Sequence, residues 1–193
     1  MLQVARLAPR VLGESTALVR EYLQGQLQSD GGFRDRAGQS DLYYTVFGLA
    51  ALAALQAEIP AAAVRRFLHQ FGGGESLDLV HLACLARCWA TVPSPRLDPA
   101  AALMVAARVE CHRSADGGYH AQRGSSRGTA YHAFLALGAY EDLGVPIPPD
   151  YQMYLALGRF RNALVAHEER VRPTESLTKF IDTYELHPFR IPK

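Results

Sequence analysis

Stretches that are apolar on nearly every side recur along the chain, and stretches with one apolar face separate them. The apolar runs lie at 46–55, 79–92 and 131–143. None of them alternates with period two, and each is longer than a typical buried strand. The pattern therefore predicts three buried helices and no β-strands.

The stretches between these runs predict partly exposed helices. Residues 61–70 follow Pro60 and place apolar side chains on one face and arginines on the other. Asp98 and Pro99, which suit an N-cap and a first helical turn, open a second such segment. On this pattern we expect outer helices at 15–27, 61–70, 100–110 and 150–162. Cys111 and His112 are expected at the polar end of one of them.

A glycine-rich turn comes before each apolar run. From Gly32 to Gly73 is 41 positions, and from Gly73 to Gly118 is 45. These periods fit a repeat unit of two helices, which takes roughly 40–47 residues. The sequence thus predicts an all-α protein of tandem helical hairpins over 1–162, with turns near 31, 73 and 118. Residues 163–193 are expected to form a C-terminal helix and an extended tail.

Composition and charge exclude several classes of protein. The 193 residues include 20 basic and 19 acidic side chains, and the basic ones are scattered, so a nucleic-acid surface is not expected. No apolar run reaches the roughly 18 residues of a membrane span, and no secretory signal is evident. Three cysteines without a signal argue against a disulfide framework and favour the cytoplasm.

The first and third turns share a longer motif. It reads Ser29-Asp30-Gly31-Gly32-Phe33 before Ser40-Asp41, and Ala115-Asp116-Gly117-Gly118-Tyr119 before Ser125-Ser126-Arg127. Over 29–55 and 115–144 the chain resembles protein prenyltransferase β-subunits and the related squalene and terpenoid cyclases. The resemblance implies an α/α toroid whose inner helices line an apolar, aromatic cavity for an isoprenoid. A complete ring has about six hairpins. The chain would therefore form a partial toroid, completed by further copies of itself or by a partner subunit.

The resemblance also implies residues for chemistry. His132 matches the histidine that binds zinc in the prenyltransferases, and Asp41 matches the aspartate, so these two are the implied catalytic and metal-binding residues. Tyr43 stands where the family has its cysteine, which removes the soft thiolate ligand. Asp41 and Asp78 have an alternative interpretation as N-caps of inner helices.

Further residues are implied for binding the isoprenoid. Arginines of the glycine turns would face its diphosphate, and aromatic residues would line the cavity; these are Arg34, Arg36, Arg127, Tyr43, Tyr44, Tyr131 and Phe134. Solvated loop charges and core aromatics are the alternative. His81, Cys84 and Cys88 share one helix face and suggest either a metal site or core packing.

Two functions follow from these observations. The first is a prenyltransferase-like protein that binds an isoprenoid or its diphosphate, with transfer of the prenyl group left open. No acidic cluster of the kind that starts cyclisation by protonation occurs. The second is a non-catalytic helical-repeat module that binds a protein partner or a hydrophobic ligand.

Overall fold

The computed structural model describes residues 7–95 and 97–149, and most of these residues are helical. The helices are α1 (Ala8–Leu12), α2 (Ser15–Gln26), α3 (Leu42–Ala54), α4 (Ala61–His69), α5 (Leu79–Thr91), α6 (Pro99–Glu110) and α7 (Ala130–Leu143). Five of the six longer ones agree with the predicted spans to within one residue at either end, and α3 begins four residues before the predicted apolar run. A mainly helical chain is therefore confirmed, and α1 is an addition to it. Among the described helices, none combines the length and apolar character that crossing a membrane requires.

The chain divides into two compact units, Met1–Ile147 and Pro148–Lys193. The first unit contains all seven helices named above. Apart from Pro148 and Pro149, the second lies outside the described residues. The helix expected at 150–162, the tail expected at 163–193 and the boundary between them lie there too.

Helix α5 is the centre of the first unit. It contacts both α3 and α7, and the outer helices α4 and α6 also pack on it. Helix α6 contacts α7 as well, and α2 contacts α3. The three apolar helices α3, α5 and α7 therefore pack in the order in which they occur along the chain.

Leucine and valine side chains fill the space between these helices. The fully buried ones include Leu49 and Leu52 of α3, Val64 and Leu68 of α4, Leu79, Leu82 and Leu85 of α5, and Val105 and Val109 of α6. Within each helix these buried residues lie three or four positions apart, so each helix packs one apolar face against the core. Burying one such side chain contributes about 1.5–3 kcal/mol.

The first glycine turn is held by the side chain of Asp30. Its Oδ1 accepts hydrogen bonds from the Gly32 amide at 2.9 Å and from the Ser40 hydroxyl at 2.7 Å. Gly31 has a φ of 101°, and a Cβ there would lie 2.1 Å from the Ala63 carbonyl oxygen. Only glycine fits this approach.

The third turn repeats the arrangement. Asp116 Oδ1 accepts from the Gly118 amide at 3.1 Å, from the Ser114 hydroxyl at 2.7 Å and from the Gly128 amide at 3.0 Å. Tyr119 follows and is fully buried, as Phe33 is after the first turn. The two copies of the sequence motif thus form the same local structure.

The expectation of no β-strands is wrong within the first turn. Strands β1 (Phe33–Arg34) and β2 (Ser40–Asp41) pair antiparallel. The cause is a tight loop that Asp35 closes. Its Oδ1 accepts from the amides of Ala37 at 2.8 Å and Gln39 at 2.9 Å. Two residues per strand leave too short a pattern to detect in a sequence.

Short polar side chains cap the helices. Asp41 accepts from the Tyr44 amide at the start of α3, and Asp78 accepts from the His81 amide at the start of α5. Asp98 caps α6 in the same way. The N-cap interpretation of Asp41 and Asp78 is confirmed, and each satisfies an amide that has no partner within its helix.

Candidate functional site

An open groove of about 540 Å³ lies between helices α3, α5 and α7. Helix α3 contributes Tyr43, Val46 and Phe47, which are spaced three and four positions apart. Such spacing puts the three side chains on one face of the helix. We call this space the aromatic groove.

Four aromatic rings in the aromatic groove are exposed to solvent. Tyr43 and Phe47 on α3 are 45% and 57% exposed, and Tyr131 and Phe134 on α7 are 55% and 65% exposed. The rings of Tyr43 and Phe47 meet edge to face, with centroids 4.9 Å apart. Large apolar side chains gathered at one place on a surface mark a binding site more often than scattered ones do.

Small side chains line the aromatic groove between the rings. Ala83 and Cys84 come from α5, and Gly138 comes from α7. Burial, and then the charges of Asp41 and Asp78, raise the pKa of Cys84 to about 11. The thiol is therefore protonated at neutral pH, where it acts as a small apolar side chain and not as a nucleophile.

The charged residues of the aromatic groove lie near the carboxyl ends of two helices. Arg87 on α5 donates from Nε to Asp142 Oδ2 on α7 at 2.6 Å. Glu141 is the neighbouring residue and is exposed. Burial raises the pKa of Asp142, and the opposing effect of Arg87 is smaller.

The structure brings some of the predicted ligand-binding residues together. Tyr43, Tyr131 and Phe134 line the aromatic groove, but Tyr44, although exposed, is not part of its lining. The predicted diphosphate residues are not part of it either: Arg34, Arg36 and Arg127. Arg34 donates instead to Gln26 Oε1 at 2.9 Å.

Asp41 lines a second, more polar pocket of about 410 Å³. Asp78 and His81 line it as well, and they are hydrogen-bonded, with His81 Nδ1 2.8 Å from Asp78 Oδ1. His132 lines neither this pocket nor the aromatic groove.

His132 belongs to a group of three histidines at the third turn. Its ring centroid lies 5.5 Å from that of His120, and its Nδ1 lies 2.7 Å from Thr129 Oγ1. Burial, and then the charges of His120 and His112, lower the pKa of His132. The imidazole is therefore uncharged at neutral pH.

Cys111 and His112 lie at the end of α6 as expected, but the expectation of a polar, exposed end is wrong for His112. The residue is only 3% exposed, and its Nδ1 lies 2.9 Å from the Ala121 carbonyl oxygen. The returning segment of the third turn lies beside it, and the His120 amide donates to the His112 carbonyl oxygen at 3.0 Å. These contacts join His112 to His120 and Ala121 across an irregular loop, and no sequence pattern indicates them.

The donors of the described part do not fit the zinc site that the resemblance implies. Within 7–95 and 97–149, no three histidine, cysteine, aspartate or glutamate side chains lie where they could hold one metal ion. Cys84 and Cys88, the suggested alternatives with His81, are buried among core side chains. Burial also raises the pKa of Cys88, so its thiol stays protonated. Core packing is the interpretation that these contacts support.

Sequence reasoning missed Phe47 and the ion pair of Arg87 with Asp142. Phe47 follows Tyr43 by four positions, and that spacing was a usable signal for a shared face. The ion pair joins residues 55 positions apart, and only the packing of α5 against α7 creates it.

No family model matches the chain, and neither a curated protein nor a solved structure matches it.

Proposed function

We propose that this protein binds a slender hydrophobic molecule of isoprenoid type in the aromatic groove. The observation that carries the proposal is the set of exposed rings of Tyr43, Phe47, Tyr131 and Phe134 around one groove. Its volume falls within the range of small-molecule sites, about 300–1,000 Å³. A branched hydrocarbon chain would cover these rings and remove them from water.

The proposal includes a partial α/α toroid in a cytoplasmic protein. The serial packing of α3, α5 and α7 supports the toroid, because inner helices of such a ring follow one another in chain order. The odd number of cysteines supports the location. A ring of this size would be completed by a homo-oligomer or a partner subunit, and light scattering of the purified protein tests that part. A clean monomer at micromolar concentration would contradict the homo-oligomer.

Binding is better supported than transfer of a prenyl group. The arginines expected at a diphosphate do not line the aromatic groove. One observation favours transfer as a second candidate. His132 packs edge-on against Tyr131 with ring centroids 5.3 Å apart, and its lowered pKa keeps it uncharged. An uncharged imidazole can accept the proton that an acceptor group loses on alkylation.

Titration with farnesol, an uncharged isoprenoid, tests the binding proposal. Phe134→Ala should weaken farnesol binding about tenfold or more, because a buried phenyl ring is worth roughly 1.5–3 kcal/mol. Leu103→Ala is the matched control, since Leu103 is also exposed but lies on α6, away from the groove. Equal affinities of wild type and Phe134→Ala, or an equal loss in Leu103→Ala, would refute the proposal.

The second candidate has its own experiment. His132→Asn should leave farnesol affinity unchanged and abolish any transfer of a farnesyl group from its diphosphate to a thiol acceptor. No transfer by the wild-type protein under conditions of saturating binding would remove this candidate. Capture of a protein on the groove, with no affinity for farnesol, would instead favour the protein-binding module.

A further inference from the structure

The aromatic groove is charged at one end only. Arg87, Glu141 and Asp142 are the charged residues in its lining, and Arg87 lies in the second half of α5 while the two acids lie in the last turn of α7. One positive and two negative side chains leave this end with a formal charge of −1. No other arginine or lysine lines the groove among the described residues.

The single positive charge already has a partner. Arg87 Nε donates to Asp142 Oδ2 at 2.6 Å. An ion pair this short neutralises both members to first order, so the Arg87 guanidinium is a poor site for a second anion. The unbalanced charge at this end is the exposed carboxylate of Glu141.

Helix α7 adds to the negative potential. The carboxyl end of a helix carries a partial negative charge, which favours cations and disfavours acids in the last turn. The last turn of α7 nevertheless holds Glu141 and Asp142 and has no basic residue. Arg87 offsets one of the two acids. A positive group placed in the groove would offset the other.

We infer that the occupant of the aromatic groove is a hydrophobic chain with a cationic head group, an aliphatic amine and not a diphosphate. This inference rests on the proposed function and specifies its ligand. The chain covers the rings of Phe47, Tyr131 and Phe134, and the ammonium lies toward Glu141. A diphosphate in the same orientation would meet two carboxylates and a negative helix end.

Three probes that share one hydrocarbon test the inference: farnesylamine, farnesol and farnesyl diphosphate, titrated at pH 7 and low salt. Farnesylamine should bind at least about tenfold more tightly than farnesyl diphosphate, because the two head groups differ in the sign of their interaction with the acidic end. Phe134→Ala should weaken all three, which shows that they occupy the groove and do not adhere elsewhere.

Charge variants then test whether the acidic end of the groove causes the preference for farnesylamine. Glu141→Gln leaves the Arg87–Asp142 ion pair in place and should lower farnesylamine affinity about two- to fivefold. The double variant Glu141→Gln/Asp142→Asn leaves only Arg87 and should reverse the preference toward the diphosphate. Glu58→Gln, an exposed acid outside the groove, is the control and should change neither affinity. Circular dichroism confirms that each variant is folded.

The outcomes separate the two proposals. Equal or tighter binding of farnesyl diphosphate by the wild type overturns the cationic inference while the groove remains a ligand site. An amine preference that Glu141→Gln and the double variant both leave unchanged overturns it as well. If none of the three probes binds, the proposed function itself fails.

Discussion

Replacing Gly48 by alanine tests how the first glycine turn is packed against α3. A Cβ at Gly48 would lie 2.3 Å from Cδ1 and 2.4 Å from Cγ of the Phe33 ring. Phe33 is only 2% exposed, and its amide donates to Thr45 Oγ1 at 2.9 Å. A small rotation of the Phe33 ring would not relieve the clash, because Cγ, Cδ1 and Cε1 would all lie within 2.5 Å of the new Cβ. Phe33 must therefore leave its position or push α3 away.

Two effects of opposite sign set the magnitude. Alanine is favoured over glycine inside a helix by about 1 kcal/mol. Overfilling a packed site costs about 1–3 kcal/mol, and complete loss of a buried phenyl ring costs about 3–5 kcal/mol. We expect Gly48→Ala to lower the free energy of unfolding by about 1–3 kcal/mol. Gly25→Ala and Gly138→Ala should raise it by up to about 1 kcal/mol, since an added Cβ has nothing within 4 Å at Gly25 and only Arg87 Nη2 at 3.7 Å at Gly138.

Urea unfolding measures these changes, followed by circular dichroism and by the fluorescence of Trp89, the single tryptophan of the chain. With a slope of about 1–3 kcal/mol per molar urea, the midpoint of Gly48→Ala should fall by about 1 M. In a Phe33→Ala background the same substitution should no longer destabilise. A Gly48→Ala protein as stable as Gly25→Ala would refute the packing argument.

Three further predictions concern the third turn. The pKa of His132 in the folded protein lies below its ordinary value of 6.5. As the pH falls, the unfolded chain therefore takes up this proton before the folded protein does. Stability should therefore fall as the pH drops from about 6.5 through the folded-state pKa, and His132→Asn should remove that part of the dependence in urea midpoints. Tyr119→Phe removes the hydroxyl that donates to Glu110 Oε2 at 2.6 Å, and should cost about 1–2 kcal/mol in the same assay. Asp116→Ala removes the acceptor for the amides of Gly118 and Gly128; we expect a loss of about 1–3 kcal/mol, and faster amide exchange at those two glycines.

Local signals in the sequence predicted the helices well. A polar cap, an apolar run and a terminating glycine are properties of neighbouring residues, and Asp98 with Pro99 is an example in which all the information lies within one turn. The order of packing was also predictable, because in a tandem helical repeat each unit packs on the next, so the inner helices α3, α5 and α7 follow one another in chain order. Strand pairing over two residues, as in β1 and β2, was not, since Asp35 closes that loop through side-chain hydrogen bonds.

The site was predictable only in part. Tyr43, Tyr131 and Phe134 were expected at a cavity because the resemblance to the prenyltransferase repeats implies aromatic residues there. Whether an arginine reaches the groove depends on the path of its loop, which the sequence does not specify. Arg34, for example, donates a hydrogen bond to Gln26 and does not line the groove. The acidic end of the groove arises where α5 and α7 meet, so neither helix alone contains the signal.

The Asp-Gly-Gly-aromatic motif has a complete explanation in folding. In both copies the aspartate accepts a hydrogen bond from the amide of the second glycine and another from a serine hydroxyl, and the aromatic ring is buried. Asp30 and Asp116 are thus committed to holding a turn, and the residues that carry the family resemblance are the ones that a helical hairpin needs. The motif therefore explains why the two turns have the same local fold, and it is not evidence for a particular function. The function must be argued from side chains that the turn does not require, and Phe47, Phe134 and Glu141 in the aromatic groove are such residues.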